Sequence, residues 1–528
     1  MSLVSQVGRK RFRARFALLV IYSLLSIGAI TTLYPFALMA STGFKGPTDQ
    51  NDNVLVPSYF SKFDGVDDKG KPDDKTLYGK YVNDKYGGDA AMIASTRGRT
   101  SGDVAKYEEF LRQLPVDYWS AGFKLTGNTP TSRLVKLYRD WLQQRYPKID
   151  DVNKAYIEED VGFQTVLPPA ELLEKRTWQQ PNSRKYAEWR AFKETLPAEF
   201  RIPVRETHMY QEYLRAKYLN VFASVPPEIA GKATKFEEIA FRPKSSADEF
   251  YTKGIPKRYA QGAAESFWSA FIAKDATTPA SSNSGPMPIE AYEHQFAQQH
   301  QSEIKSEFMT RNYAYVVQYI ALNGGALWNT IIFCFLAIIV QLTINPLAAY
   351  ALSRYPIRAS GKILIFLLAT MAFPAEVAMI PSFLLLKQLH LLNTFAALVF
   401  PTAASGYMIF LLKGFFDSLP QELFEAGQID GAKEVTMMTR IALPLSKPVL
   451  GYLALLAFMG AYGAFLYAFL VVQDQKMWTL MVWIYQLQST APKATIMAAL
   501  TLAAIPTLLV FLLAQRTIMK GIVLPSER

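Results

Sequence analysis

Six apolar runs, 16–40, 326–353, 363–386, 395–412, 449–472 and 495–513, are each long enough to cross a bilayer as a helix. A chain built on them folds in lipid, where every backbone N–H and C=O must be satisfied inside a helix. The 528 residues are 50% hydrophobic, yet mean hydropathy is only +0.06, because one long polar stretch, about 46–310, separates the first run from the second. The third run contains Pro374 and Glu376 and the fourth Pro401, so both are expected to be kinked or to face a polar interior.

Basic residues near the run ends give the orientation. Arg9, Lys10, Arg11, Arg13 and Arg15 precede run one, and Arg354, Arg358 and Lys362 separate runs two and three. Lys413, Lys433, Arg440 and Lys447 lie between runs four and five, and Arg516 and Lys520 follow run six. All four sets fall on one face, so both termini are expected in the cytoplasm and residues 41–325 outside. A cleaved signal peptide is the competing reading of run one, but about 25 apolar residues exceed the usual apolar region of such peptides, about 7–15. The net charge of +11 is read as topogenic. The basic cluster lacks the aromatic interleaving of a nucleic-acid reader, so no nucleic-acid partner is expected.

Between runs four and five lies a polar segment, 418–448, that must face water and can grip a partner. Ser418, Pro420 and Gln421 predict a capping box that opens a short helix. Asp430-Gly431 predicts a turn, a second helix is expected from Ala432 to about Ile441, and Pro444 and Pro448 mark the start of the next apolar run. Ala426, Gly427, Gly431 and Ala432 would let another surface approach the backbone closely, and Glu422, Glu425 and Asp430 offer carboxylates.

Glu425-Ala426-Gly427, then Gly431, then Ile441-Ala442-Leu443-Pro444 resemble the cytoplasmic coupling loop of the inner-membrane permease subunits of binding-protein-dependent ABC importers. In that family the pattern is E-A-A, three residues, G, nine residues and I-x-L-P; only Gly427 departs from it, standing where Ala is usual. Further matches are Tyr34-Pro35, Ser41 to Lys45, Arg311-Asn312-Tyr313, Leu327 to Thr330, Ala348 to Arg354, Phe373 to Glu376, Ile380-Pro381, Leu391 to Thr394, Ala503 to Pro506 and Gln515-Arg516. Together they cover 1–45 and about 311–528 and are most similar to the smaller permease of maltose-type sugar importers. Two departures bear on the solute and the partner. Tyr462-Gly463-Ala464 stands where sugar permeases carry Trp-Asn-Asp or Trp-Asn-Glu, and the tail after Gly521 lacks the usual Gly-rich ending.

The resemblance implies an α-helical membrane protein, a six-span type I ABC importer permease bundle with a large, mainly α-helical extracytoplasmic insert between spans one and two. Its parts are 1–45, the N-terminus and first span; 46–310, the insert; and 311–528, a five-helix core with the coupling loop at 418–448. It also implies the partners: an ATP-binding subunit dimer that holds ATP-Mg, a second permease subunit, an extracytoplasmic solute-binding protein and the inner-membrane bilayer. No G-x-x-x-x-G-K-[ST] loop occurs, so this chain is expected to bind no cofactor, to be no enzyme, and to draw its energy from the partner.

By resemblance the residues touching the ATPase are Glu425, Ala426, Gly427, Asp430, Gly431, Leu443 and Pro444. Glu425 is the charged contact, Gly427 and Gly431 the close-approach positions, and Asp430 the turn former. Candidates for the solute path are the polar or aromatic residues Glu376, Ser405, Tyr407, Tyr462 and Tyr467, since aromatic faces suit sugar rings; aromatics at helical spacing also serve bundle packing. Glu376, beside Pro374, could instead satisfy freed backbone amides.

The insert is long enough to hold its own core. Its first third, with Asp64, Asp67, Asp68, Lys69, Gly70, Lys71, Asp73 and Asp74, reads as solvated loop. Beyond it, Tyr107, Phe110, Leu111 and Leu114, and Leu134, Leu137, Tyr138, Trp141 and Leu142, predict helices. A faint repeat pairs 137–146 with 209–218, each followed by an aromatic-led segment ending in proline, 163–168 and 236–243, and suggests a duplicated helical unit. Some thirty residues around Tyr146 and Asn153 also resemble pieces near the active sites of certain glycoside hydrolases, without a convincing acid and nucleophile pair. His208, His294, His300 and His390 are scattered and Cys334 is the one cysteine, so no metal site or disulfide is expected. The competing functions are a permease for a non-sugar solute and a membrane-anchored external sugar-binding or hydrolytic module.

Overall fold

The computed structural model describes residues 12–66, 73–87, 104–123, 133–160, 162–163, 165–241, 249–275, 287–318, 325–372, 374–489 and 491–521. Arg9, Lys10, Arg11, the cluster 67–71, Phe373 and the tail after Gly521 lie outside these residues, as do the side chains of Arg13, Arg516 and Lys520. The chain divides into two compact units, 1–312 with 492–494 and 313–491 with 495–528.

The first unit opens with α1 (Phe12–Gly43), which contains Pro35 and has none of its most apolar window buried. The insert follows as α2 (Leu77–Tyr86), α3 (Val104–Gln113), β1 (Trp119–Ala121), α4 (Arg133–Arg145), α5 (Ile149–Tyr156), α6 (Arg184–Thr195), β2 (Arg201–Pro203), α7 (Glu206–Lys217), α8 (Pro227–Ala230), α9 (Ala264–Asp275), α10 (Ile289–Gln299) and the start of α11 (Gln301–Val316). The two strands pair antiparallel, with Ser120 opposite Ile202. An aromatic core joins these elements: Tyr107 and Phe110 of α3, Tyr138 and Leu142 of α4, Trp189 and Phe192 of α6, and Tyr292 of α10 are all buried. Tyr138 meets Trp189 edge to face, with centroids 5.3 Å apart. Truncating one such ring costs about 3–5 kcal/mol, which is how a domain without disulfides holds together. Leu137, placed on the inward face by its spacing, is 39% exposed.

The duplicated unit has a structural signature. Arg139 and Gln211 occupy equivalent positions in the paired segments, on α4 and α7. Arg139 Nε donates to Val166 O at 2.9 Å, and Gln211 Nε2 donates to Glu237 O at 3.0 Å and Ile239 O at 2.9 Å. Val166 and Ile239 are both buried, and each closes a tight turn onto the phenylalanine three residues earlier. Both copies thus use one polar side chain to dock the following aromatic turn on its helix.

The two ends of the insert are fastened together. Asn312 Nδ2 donates to Gly43 O at 2.9 Å and Lys45 O at 2.8 Å, which binds the later part of α11 to the end of α1. Arg311 pairs with Asp84 and Lys45 with Asp52. Residues 41–45 and 311–312, parts of segments singled out above as separate, therefore form one junction.

The second unit holds α12 (Ala326–Arg354), α13 (Ser360–Met371), α14 (Ala375–Gln388), α15 (Phe395–Val399), α16 (Gly406–Asp417), α17 (Gln421–Ile429), α18 (Glu434–Met437), α19 (Leu443–Leu445), α20 (Lys447–Tyr462), α21 (Leu466–Val471), α22 (Leu480–Leu487) and α23 (Lys493–Gly521), the last outside residues 492–494. Runs two and six are continuous helices. Run three is broken around Pro374 into α13 and α14; run four bends by 52° between α15 and α16; run five breaks at Gly463 between α20 and α21. Proline without a donor, and glycine without a side chain to pack, explain why uniform apolar runs do not give uniform helices. By length and composition, three helices among the described residues could cross a membrane, or up to five if each bent pair counts as one.

α12 is the axis of this unit. Ala337 and Ala349 are fully buried, and such small residues let neighbouring helices approach closely. Asn345, also fully buried, donates to Gln341 O at 2.8 Å and Ala403 O at 3.1 Å, and its Oδ1 accepts from Ser405 N at 2.7 Å. That one amide satisfies the backbone groups freed where run four bends, the condition for a helix break among apolar helices.

Candidate coupling site

The segment 418–448 folds as an acidic knob. Ser418 does not open it, contrary to the capping box expected: its hydroxyl donates back to Phe415 O at 2.7 Å and it closes α16. Pro420 is the N-cap of α17, and the preference of a residue before proline for extended backbone holds Leu419 out of the helix. α17 buries one residue, Phe424. Asp430 caps its end, Gly431 turns the chain at φ +75°, and Ala432 N bonds to Gly427 O at 2.9 Å.

The second arm starts at Glu434, two residues later than expected, and passes through a π turn, Met438–Ala442, before α19. Pro444 cannot donate a backbone hydrogen bond, which disfavours ordinary α-helical pairing there. Met437, Met438 and Ala442 face inward. Ser446, fully buried, donates its hydroxyl to Ala442 O at 2.7 Å, and the chain then bends by 83° into α20.

Glu425, Ala426, Asp430, Gly431 and Pro444 are exposed, while Gly427 and Leu443 are half-buried. Glu425 accepts from Gln421 Nε2 at 2.9 Å. Gly427 faces inward: a Cβ there would lie 3.3 Å from Ile441 Cδ1 and 3.6 Å from Met437 Cγ. Its small size therefore serves the packing of the two arms on each other. Sequence reasoning missed the apolar part of the outer face, where Ile429 is 86% exposed, Val435 72% and Leu423 42%. The signal was present in the spacing of Leu423, Ile429 and Val435, three large apolar residues in one short polar loop.

The solute-path candidates do not form one cluster of contacts. Glu376 is exposed in the first turn of α14 and makes no hydrogen bond among the described residues, so the backbone-capping alternative has no support. Ser405 caps α16, accepting from Met408 N at 3.4 Å. The Tyr407 hydroxyl lies 3.4 Å from that of Tyr452. Tyr462 donates to Ala503 O at 2.6 Å and Tyr467 to Ala397 O at 2.9 Å, so both hydroxyls are committed to packing between helices.

In the insert, a cavity of about 270 Å³ is lined by residues that include Asp117, Glu171, Arg190 and Lys193. These charges are already paired: Arg190 grips Asp117 through two bonds of 2.5 and 2.9 Å, and Lys193 meets Glu171 at 3.2 Å. Among the described residues no group of His, Cys, Asp and Glu could hold a metal ion.

The family "Binding-protein-dependent transport system inner membrane component" matches residues 344–523, which contain the knob, all of α23 and the end of α12. The sn-glycerol-3-phosphate transport system permease protein UgpE of Yersinia pestis bv. Antiqua (strain Antiqua) is 35% identical over 206 residues, 38% of this chain and 73% of that protein. The chain belongs to this family. This permease is also 32% identical to Protein LplC of Bacillus subtilis (strain 168), over 36% of its own length and 69% of that of LplC. A crystal structure of a bacterial ABC transporter involved in the import of the acidic polysaccharide alginate aligns with 39% of the permease and 78% of that chain, at 25% identity and a TM-score of 0.35. By that family membership the permease is a helical inner-membrane component of a binding-protein-dependent transport system.

Proposed function

We propose that this permease translocates a polyhydroxylated solute, a carbohydrate or a polyol phosphate, delivered by an external solute-binding protein and driven by a separate ATPase that grips the knob at 425–444. The observation that carries this reading is the exposed part of the knob, where Glu422, Glu425 and Asp430 stand in water together with the apolar Ile429 and Val435. Exposed apolar side chains mixed with carboxylates are the composition of a docking site, with the carboxylates steering and fixing register. ATP-Mg belongs to the partner, and this chain performs no catalysis. A second permease subunit completes the pore.

The arrangement of basic residues supports a cytoplasmic knob and an extracytoplasmic insert at 46–310, where the insert can meet the receptor. ATP-driven closure of the partner then shifts the permease between inward-open and outward-open packings, through unequal binding of the knob and the receptor to the two states. The solute class rests on the named activity of the glycerol-3-phosphate relatives and on the resemblance to sugar permeases.

The reading is tested by uptake into vesicles holding the complete transporter, with labelled sn-glycerol-3-phosphate in one arm and labelled malto-oligosaccharides in the other. Glu425→Ala is expected to lower the ATP-dependent rate about tenfold or more, the cost of removing one charged partner from a closed interface. Undiminished uptake by the variant would contradict the coupling role; absence of both solutes from the lumen would contradict the solute class.

A further inference from the structure

One helical turn at the end of α12 reaches the knob through Tyr350 and the end of α16, just ahead of the knob, through Ser353 and Arg354. Tyr350 Oη donates to Glu434 Oε2 at 3.1 Å, Ser353 Oγ to Asp417 Oδ1 at 2.7 Å, and Arg354 Nη2 to Phe416 O at 2.5 Å. The Arg354 guanidinium also lies 3.7 Å from the centroid of Phe424, well inside the range of cation–π attraction. The Tyr350 ring packs beside Phe424 and Phe416, with centroids 6.4 and 6.0 Å away. Residues three and four apart share a helix face, so a single face of α12 reaches the end of α16, the middle of α17 and the first residue of α18.

The chain itself joins the knob to the helices on either side through bends. On one side Leu419 and Pro420 interrupt the helix; on the other the chain turns 83° at Ser446. The contacts of Tyr350 with Glu434 and of Arg354 and Tyr350 with Phe424 reach the knob without passing through either bend. Further along α12, Asn345 holds the bent backbone at Ala403 and Ser405, next to Tyr407. We infer that Arg354 and Tyr350 are positioning residues that lock the knob to α12, so that force applied to the knob moves α12 and, through Asn345, the bend in run four. This rests on the knob being the ATPase contact.

Cys334, the one cysteine of the chain, is buried on α12 and reports its movement. The transporter is purified from native membranes through a tag on this chain, and the alkylation of Cys334 by N-ethylmaleimide is followed with and without ATP. In the unsubstituted chain the rate is expected to change with ATP. In the double variant Tyr350→Phe, Arg354→Ala the ATPase is expected to co-purify in undiminished amount, while the ATP-dependent change shrinks about tenfold, the scale set by losing a charged hydrogen bond. Arg354→Lys, which keeps the charge without the planar fork, is expected to fall between.

A full ATP response in the double variant overturns the inference. So does a Cys334 indifferent to ATP in the unsubstituted chain, and so does loss of the ATPase from the double variant, which would place Arg354 in docking instead of transmission. Failure of the underlying coupling reading has its own signature: no ATPase co-purifies with the unsubstituted chain.

Discussion

Glu293→Leu is expected to destabilise the insert by about 3–5 kcal/mol, the cost of removing one partner from a buried ion pair. Glu293 is 1% exposed and accepts three hydrogen bonds, from Lys85 Nζ at 2.6 Å, Tyr86 Oη at 2.6 Å and Tyr81 Oη at 3.1 Å. Burial holds the Lys85 ammonium below its ordinary pKa, and the facing carboxylate pulls it partly back. Without Glu293 the burial penalty stands alone, and two tyrosine hydroxyls lose their acceptor as well. Adding Lys85→Met to the variant removes the stranded charge and should restore most of the loss. Resistance of the insert to limited proteolysis in the full-length protein measures the effect. A single variant as resistant as the parent would mean that the pair does not organise α2 against α10.

Gly406→Ala should damage the second unit through backbone collision. A Cβ at Gly406 would sit 2.3 Å from Leu367 O and 2.9 Å from its carbonyl carbon, so α13 and α16 would have to separate. α16 has little freedom to retreat, because Asn345 holds the preceding Ser405 amide from the other side. Overpacking of this kind costs about 1–3 kcal/mol, and here it also loosens the bend beside Tyr407. Gly414→Ala, on the same helix with nothing within 4 Å of the added atom, is the control. Thermal unfolding of purified permease should show a lower midpoint for the first variant and no change for the second; equal midpoints would mean that the crossing is not tight.

Much of this architecture is legible in the sequence because lipid imposes a long-range rule on composition. The six apolar runs correspond to helices or broken helices, and the knob falls between the fourth and fifth. Pro374 and Pro401 signalled the breaks in runs three and four. Asn345 escaped notice because an amide in an apolar run reads only as a penalty, while its partners at Ala403 and Ser405 lie about 60 residues away in the chain. The capping box at Ser418 failed for a local reason, the constraint that Pro420 places on Leu419. In sequence Gly427 reads as a surface for a partner, but its neighbours Met437 and Ile441 belong to the other arm of the same knob, a pairing that only the turn at Gly431 creates. In the insert, the matching decapeptides on α4 and α7 were visible as a repeat, whereas the bonds from Arg139 and Gln211 that give it physical meaning depend on folding.

The most direct test places a cysteine at the exposed tip of the knob. With Cys334→Ala as background, Ile429→Cys is treated in sealed vesicles of each orientation with a membrane-impermeant maleimide, and then with a short bifunctional crosslinker in the complete transporter. Docking of the ATPase on a cytoplasmic knob is expected to give labelling only from the cytoplasmic side, protection when the ATPase is bound, and a crosslink to the ATP-binding subunit. Labelling from the outer side, or a crosslink to any other component with none to the ATPase, would contradict it.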